Sequence, residues 1–329
     1  MIQTIEPYIA GMTWGFTGVR GTWGNATAAH SMETMAKVTG NNWTAIAFAA
    51  LQATAFSTEI PYWEAPTVTD EEVVWAIRKA HSLGLKVCLK PIVNCADGTW
   101  RAHINFFDKD VPCEPKWSDW FASYRAFILH YAHIAEETGC EMFCIGCEMV
   151  QTDRREAEWR ALIADVRQVY QGPLTYNCDK YQEDNVTWWD ALDLISSSGY
   201  YPIGDWDHQL DRIESVVRRF DKPFMFMEAG CPSRIGSANL PNDWTLQGAV
   251  SETEQAEYYR TMLQTCGERD WVRGFMLWDW PARLYDRNQA ATQDGYCIYG
   301  KQAETVVAEA YAAKRSAIER EGGVLRGNP

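Results

Sequence analysis

Eight short, largely apolar β-rich runs alternate with amphipathic helical patterns between residues 8 and 319. Unbroken apolar runs mark parallel strands covered on both faces. Such strands alternating with helices build a parallel sheet, and eight of them suffice to close it. The chain is therefore predicted to be an α/β protein, a single-domain (β/α)8 TIM barrel over residues 1–320 with a frayed tail at 321–329.

Each element has its own signal. The first strand is YIAGMTW at 8–14, followed by a short helix at 31–38. WTAIAFA (43–49) leads to a helix at 69–84, where Thr69 stands three residues before Glu72 as a capping box and Gly84 ends the pattern. LKVCLKPIV (85–93) precedes the helix at 117–139, whose Trp117, Trp120, Phe121, Tyr124, Phe127, Ile128, Tyr131 and Ile134 recur at helical spacing. EMFCIGCE (141–148), LTYNC (174–178) and LDLISSSGYY (192–201) are strands four to six, with helices at 155–170 and 208–220. PFMFMEAG (223–230) and RGFMLWDW (273–280) complete the set, each followed by a helix, at 251–269 and 303–319.

Composition narrows the partners. A formal charge of −14 opposes binding to nucleic acid, whose phosphates need a basic patch. Sixteen Trp and fifteen Tyr, several beside Gly, Asn or Asp, suit a surface that stacks on a flat, neutral ligand with polar edges. No run of about 18 apolar residues is present, so no membrane span is expected. The start MIQTIEPYIAGMTWG lacks a basic segment followed by an apolar one, which predicts a cytoplasmic protein, taken here as a monomer. Most of the ten cysteines lie in apolar runs and read as small hydrophobes in a reducing compartment.

In a barrel of this kind chemistry is sited where the strands end. Strand four ends in Glu148 and strand seven in Glu228, each after a run of mostly apolar residues. One such glutamate is commonly a salt-bridge partner; two of them, amid aromatics, fit glycoside hydrolysis. There one carboxyl protonates the leaving oxygen while the other attacks the anomeric carbon or activates water. Trp14, Trp23, Trp63, Trp100, Trp206, Trp278 and Trp280 fall near strand ends as candidate sugar platforms. Lys90, Asn94, Asp97, Arg101, Asn177 and Asp179 supply polar groups at the same rim. No metal or cofactor is required by this chemistry.

Glutamates ending strands four and seven resemble clan A of the glycoside hydrolases. The finer text is similar to glycoside hydrolase family 113, the β-mannanases, in LKPIV…DGTWRAHI (89–104), DLISSSGYYP (193–202) and DGYCIYGKQAETV (294–306). The resemblance covers nearly the whole chain. It implies a retaining enzyme that cleaves β-1,4-mannosidic bonds, with Glu148 as acid/base and Glu228 as nucleophile. It further implies that Tyr200 or Tyr201 hydrogen-bonds the nucleophile and that Trp278 underlies the sugar at the cleavage point. Arg20 and Arg101 are the candidates for the arginine that many clan members carry near the nucleophile. One departure stands out: most of the clan has Asn before the acid/base, and here it is Cys147. Another β-linked oligosaccharide, gluco- or xylo-configured, is the alternative substrate.

Two rival readings deserve weight. Cys140, Cys144 and Cys147 have the C-x3-C-x2-C spacing of a [4Fe–4S] cluster that binds S-adenosylmethionine. Against it, the residues between them read as a strand, along which Cys144 and Cys147 should point to opposite faces. The motif also falls at strand four, whereas radical enzymes carry it after the first strand. A barrel that only binds carbohydrate is the other rival, and the matched pair of glutamates opposes it.

Overall fold

The structure, a computed structural model, describes residues 7–325. Eight parallel strands pair in sequence order and close, β8 back onto β1. They are β1 (Ile9–Trp14), β2 (Trp43–Gln52), β3 (Lys86–Cys95), β4 (Met142–Cys147), β5 (Leu174–Cys178), β6 (Ile195–Gly199), β7 (Phe224–Ala229) and β8 (Val272–Trp280). The surrounding helices are α1 (Ala26–Thr39), α2 (Asp70–Ser82), α3 (Trp117–Thr138), α4 (Glu156–Val169), α5 (Trp206–Phe220), α6 (Glu252–Gly267) and α7 (Gln302–Leu325). The β5–β6 crossover carries only the 3-10 turn Trp189–Ala191. Residues 321–325, expected to fray, continue α7, and 326–329 lie outside the described residues. No helix among the described residues is long and apolar enough to cross a membrane.

Local chemistry sets the helix limits. Thr69 and Glu72 form the predicted capping box on α2, and Gly40 and Gly139 end α1 and α3 in the left-handed conformation. Ser251 caps α6, but the Glu254 carboxylate turns instead to the amides of Gly236 and Ala238, so the helix start anchors the long loop after β7.

Strand alternation builds two cores. Outward residues pack against the helices in a large aromatic layer, as where Phe48 meets Tyr131 and Phe143 meets Tyr170. Inward residues fill the barrel with small and pliable side chains: Ala45, Cys88, Met142, Cys144, Leu194, Met225, Met227 and Met276, all fully buried. Toward the C-terminal end this filling gives way to Lys90, Asn177 and Glu228. A barrel plugged with apolar side chains below and polar ones above presents a rigid floor for chemistry.

Candidate active site

Two register shifts deliver the glutamates. Inward-facing Cys144 is followed by a shift in the β4–β5 pairing before Cys147, and Cys147 faces inward as well. In the β6–β7 pairing a shift lets Glu228 oppose Ser198 and turn inward just after inward-facing Met227. A β-bulge re-aims a side chain without breaking the sheet, and here both bulges aim a carboxylate at the barrel mouth. Glu148 follows β4 with φ of 50°, a left-handed backbone unusual for a side chain of its size, and its amide donates to the Asn177 carbonyl at 2.7 Å.

Glu228 is 3% exposed and both its oxygens are engaged. Lys90 Nζ donates to Oε1 at 2.5 Å and to Asn177 Oδ1 at 2.7 Å. The Cys147 thiol reaches Oε1 at 3.3 Å, and the Tyr200 hydroxyl donates to Oε2 at 2.9 Å. Burial pushes the Glu228 carboxyl up, but the Lys90 and Arg101 cations and the hydrogen bonds from Lys90 and Cys147 outweigh it and hold it below the ordinary value. Glu228 is thus an anion at neutral pH. Burial opposes charge on the Cys147 thiol and pushes it well up, so it is a neutral donor.

Glu148 is held by different partners. Arg101 Nη2 donates to Oε2 at 2.6 Å, and the Ser198 hydroxyl donates to Oε1 at 2.6 Å. Arg101 is itself fixed, with Nε on the Cys147 carbonyl at 2.9 Å and Nη1 on Asn94 Oδ1 at 3.0 Å. Asn177 Nδ2 donates to Ser198 Oγ at 3.1 Å, so the path Lys90–Asn177–Ser198 links the two carboxylates. Just past β5, burial first and the Glu148 charge second push the Asp179 carboxyl up to about 7.

An aromatic wall stands beside this network. Trp278 packs on Phe16 with ring centroids 4.6 Å apart and clusters with Tyr200 and Tyr296. The Lys90 ammonium lies 5.7 Å from the Trp278 ring centroid. The buried Trp278 indole N–H finds no acceptor among the described residues.

The expected site residues therefore divide. Glu148, Glu228, Lys90, Asn94, Arg101, Asn177, Tyr200 and Trp278 come together. Trp14, Trp23 and Trp280 do not: they are 0–3% exposed and belong to the outer core. Trp14 faces outward in step with Met12, and the extra residue that the register shift places in β8 turns Trp280 outward although Trp278 faces inward; both indoles reach α1 and bond Ser31, while Trp23 packs tilted against Trp14. Tyr201 also points outward and donates to Glu183 at 2.8 Å, so Tyr200 is the tyrosine on Glu228. Trp206 is buried under Tyr201, and exposed Asp97 bonds the Thr99 amide. Arg20 serves the Thr67 and Trp63 carbonyls elsewhere.

Cys144 and Cys147 share the barrel interior, contrary to the expected alternation, because the bulge between them restores parity. Cys140 sits in the outer core, its carbonyl accepting from the Tyr170 hydroxyl. Among the described residues no group of three His, Cys, Asp or Glu side chains is placed to hold a metal ion. Ser198 and Tyr296 were not anticipated; the three serines inside strand six, where apolar residues are expected, were the available signal for the first.

No curated protein matches the chain. The model of Glycoside Hydrolase Family 113 matches residues 12–301. A complex structure of a GH113 β-1,4-mannanase is 55% identical, with a TM-score of 0.92 over 93% of this chain and 99% of that one. The GH113 β-mannanase AaManA from Alicyclobacillus acidocaldarius, solved with ManMIm, is 48% identical, with a TM-score of 0.90 over 93% and 97% of the two chains. A β-glucuronidase of Ruminococcus gnavus, 14% identical with a TM-score of 0.62 over 92% of this chain and 50% of its own, shares the fold alone. The chain is a glycoside hydrolase and belongs to Glycoside Hydrolase Family 113.

Proposed function

We propose that the chain cleaves β-1,4-mannosidic bonds in mannan or manno-oligosaccharides by double displacement, with Glu228 as nucleophile and Glu148 as acid/base. The observation that carries the roles is the unlike surroundings of two buried carboxylates at one barrel mouth. Glu228 is kept anionic by Lys90 and aimed by Tyr200, as attack on an anomeric carbon requires. Glu148 is oriented by Arg101 and Ser198 for the acid role, in which it delivers a proton. That proton passes to the departing oxygen as the glycosyl-enzyme ester forms. The ester cancels the Glu228 charge, and Glu148 then takes a proton from the attacking water. Membership of the family supports mannose as the sugar.

Trp278, packed on Phe16 and beside Tyr200, supplies the aromatic platform. Cys147 stands where the clan places Asn, and its thiol contacts Glu228 at 3.3 Å. We further infer a cytoplasmic monomer acting on short imported chains, a reading supported by ten free cysteines of which all but Cys113 are buried.

The test is direct. Glu228→Gln should abolish hydrolysis of mannohexaose with the fold unchanged by circular dichroism. Glu148→Gln should spare an aryl mannoside with a good leaving group far more than mannohexaose. Appreciable turnover by the first variant, or equal losses on both substrates in the second, sinks the role assignment. Cleavage of cellohexaose or xylohexaose instead of mannohexaose would keep the roles and remove mannose.

A further inference from the structure

Glu148 sits on a backbone that its side chain does not favour, and part of what holds it there lies outside the barrel mouth. Its φ of 50° is left-handed, a conformation that persists only where the surroundings over-determine it. Three peptide groups around it are fixed. The Tyr124 hydroxyl donates to the Ile145 carbonyl at 2.8 Å, and the Glu148 amide donates to the Asn177 carbonyl at 2.7 Å. The third is the amide of Met149, which donates to the Tyr176 hydroxyl at 3.1 Å. That hydroxyl in turn donates to Asp153 Oδ1.

In LTYNC the neighbours of Tyr176, Thr175 and Asn177, face the barrel interior, where they bond Ser196 and Lys90, so Tyr176 faces outward. Its ring is fully buried in the outer core, 5.1 Å from Trp159 and 5.0 Å from Trp188. Phe48, Phe143 and Phe226 face the same layer without a hydroxyl, so packing alone does not require one. Asp153 is 2% exposed, and its other oxygen is buried with no partner among the described residues. Burying a carboxyl in that state is costly, and what it achieves is to point the hydroxyl proton away from Met149. The hydroxyl oxygen then offers only lone pairs to the amide. Burial pushes the Asp153 carboxyl up to about 7, and a proton on the idle oxygen leaves Oδ1 accepting from Tyr176 in both states.

We propose that Tyr176, oriented by Asp153, is a positioning residue for the acid/base, setting the direction of the Glu148 carboxyl through the Met149 amide. Being fully buried, it touches no substrate itself. The inference rests on the roles proposed above and adds a residue to them. Arg101 and Ser198 hold the carboxyl end of Glu148, whereas Asn177 and Tyr176 hold its root. Without the hydroxyl the Met149 amide is buried and unpaired, and the turn relaxes out of the left-handed conformation. The carboxyl then loses its line to the departing oxygen, and a misplacement of about 1 Å can cost about a hundredfold in rate.

The experiment measures kcat/KM of the full-length enzyme on mannohexaose, whose leaving oxygen needs a proton, and on dinitrophenyl β-mannoside, whose leaving group does not. Tyr176→Phe should lose about tenfold to a hundredfold on mannohexaose and less than about threefold on the aryl mannoside. Asp153→Ala should repeat that selectivity, and Asp153→Asn, which keeps an oxygen for the hydroxyl, should restore most of the loss. Tyr170→Phe is the control. It removes a like bond at the other end of β4, where the Tyr170 hydroxyl donates to the Cys140 carbonyl at 2.8 Å, and should affect both substrates alike or neither. Equal losses on the two substrates in Tyr176→Phe and Asp153→Ala, no loss in either, or the same selectivity in Tyr170→Phe overturns the inference. Glu148→Gln in the same assay separates it from the function. If that variant is selective and Tyr176→Phe is not, the positioning alone falls; if Glu148→Gln is unselective, the acid/base role falls and the positioning with it.

Discussion

Lys90 and Glu228 form a buried ion pair, and such a pair is costly to break from one side. Removing one partner strands a charge in a low-dielectric interior. Lys90→Met should therefore destabilise the protein by about 3–5 kcal/mol in urea unfolding. It should also move the acid limb of kcat/KM to higher pH, because the cation that lowers Glu228 is gone. An acid limb that stays in place would remove Lys90 from the nucleophile's field. The two glutamates were legible in the sequence because each ends an apolar run, and a lysine inside KVCLKPIV was legible as an anomaly. Their pairing was not, since Lys90 and Glu228 are 138 residues apart and only barrel closure makes them neighbours.

At the scale of the element, the placement of Glu148 depends on β4 and its bulge. Gly146 lies inside that bulge, against a wall of aromatics on α3, α4 and β5. A Cβ there would stand 2.9 Å from the Tyr124 hydroxyl and 2.9 Å from a Tyr176 ring carbon. Neither ring is free to yield: Tyr124 bonds the Ile145 carbonyl at 2.8 Å, and Tyr176 bonds Asp153 and the Met149 amide. Gly146→Ala is expected to cost about 1–3 kcal/mol, as overpacking of a filled core does. Because the displaced strand carries Glu148, kcat should fall with stability. Unchanged urea midpoint and unchanged kcat together would show that the bulge tolerates a side chain. Bulges explain most of what the sequence concealed. Strand limits follow from apolar runs, but the facing of Trp280, Cys147 and Glu228 depends on pairing register, which a single strand does not encode.

At the scale of the whole molecule, the eight-strand closure was legible from periodicity, whereas the helix-free β5–β6 crossover was not singled out beforehand. Folding also buries three aspartates in ways the sequence does not reveal. Asp153, Asp179 and Asp279 are each pushed up to about 7, in every case chiefly by burial. A carboxyl raised on folding keeps its proton longer in the native state. Its stabilising effect is full below the unfolded value and is lost as pH rises through the folded one. Each such proton contributes a slope of about −1.4 kcal/mol per pH unit between the two values. Glu228 works the other way: its contribution is present above the ordinary carboxylate value and disappears as pH falls through its lowered one. Lys301, lowered to about 8 by burial, makes its difference only above that pH. The native state should therefore be most stable on the mildly acidic side and lose thermal stability as pH rises to about 7, where these carboxyls ionise, levelling off beyond it. Calorimetric Tm values across pH 4.5–8 at constant ionic strength would show this decline. Asp153→Asn isolates one contributor: its carboxyl accepts from Tyr176 at 2.5 Å while its other oxygen is buried without a partner. That variant should show a shallower decline than the wild type, and a Tm flat or rising with pH in the wild type would mean that these aspartates ionise freely in the fold.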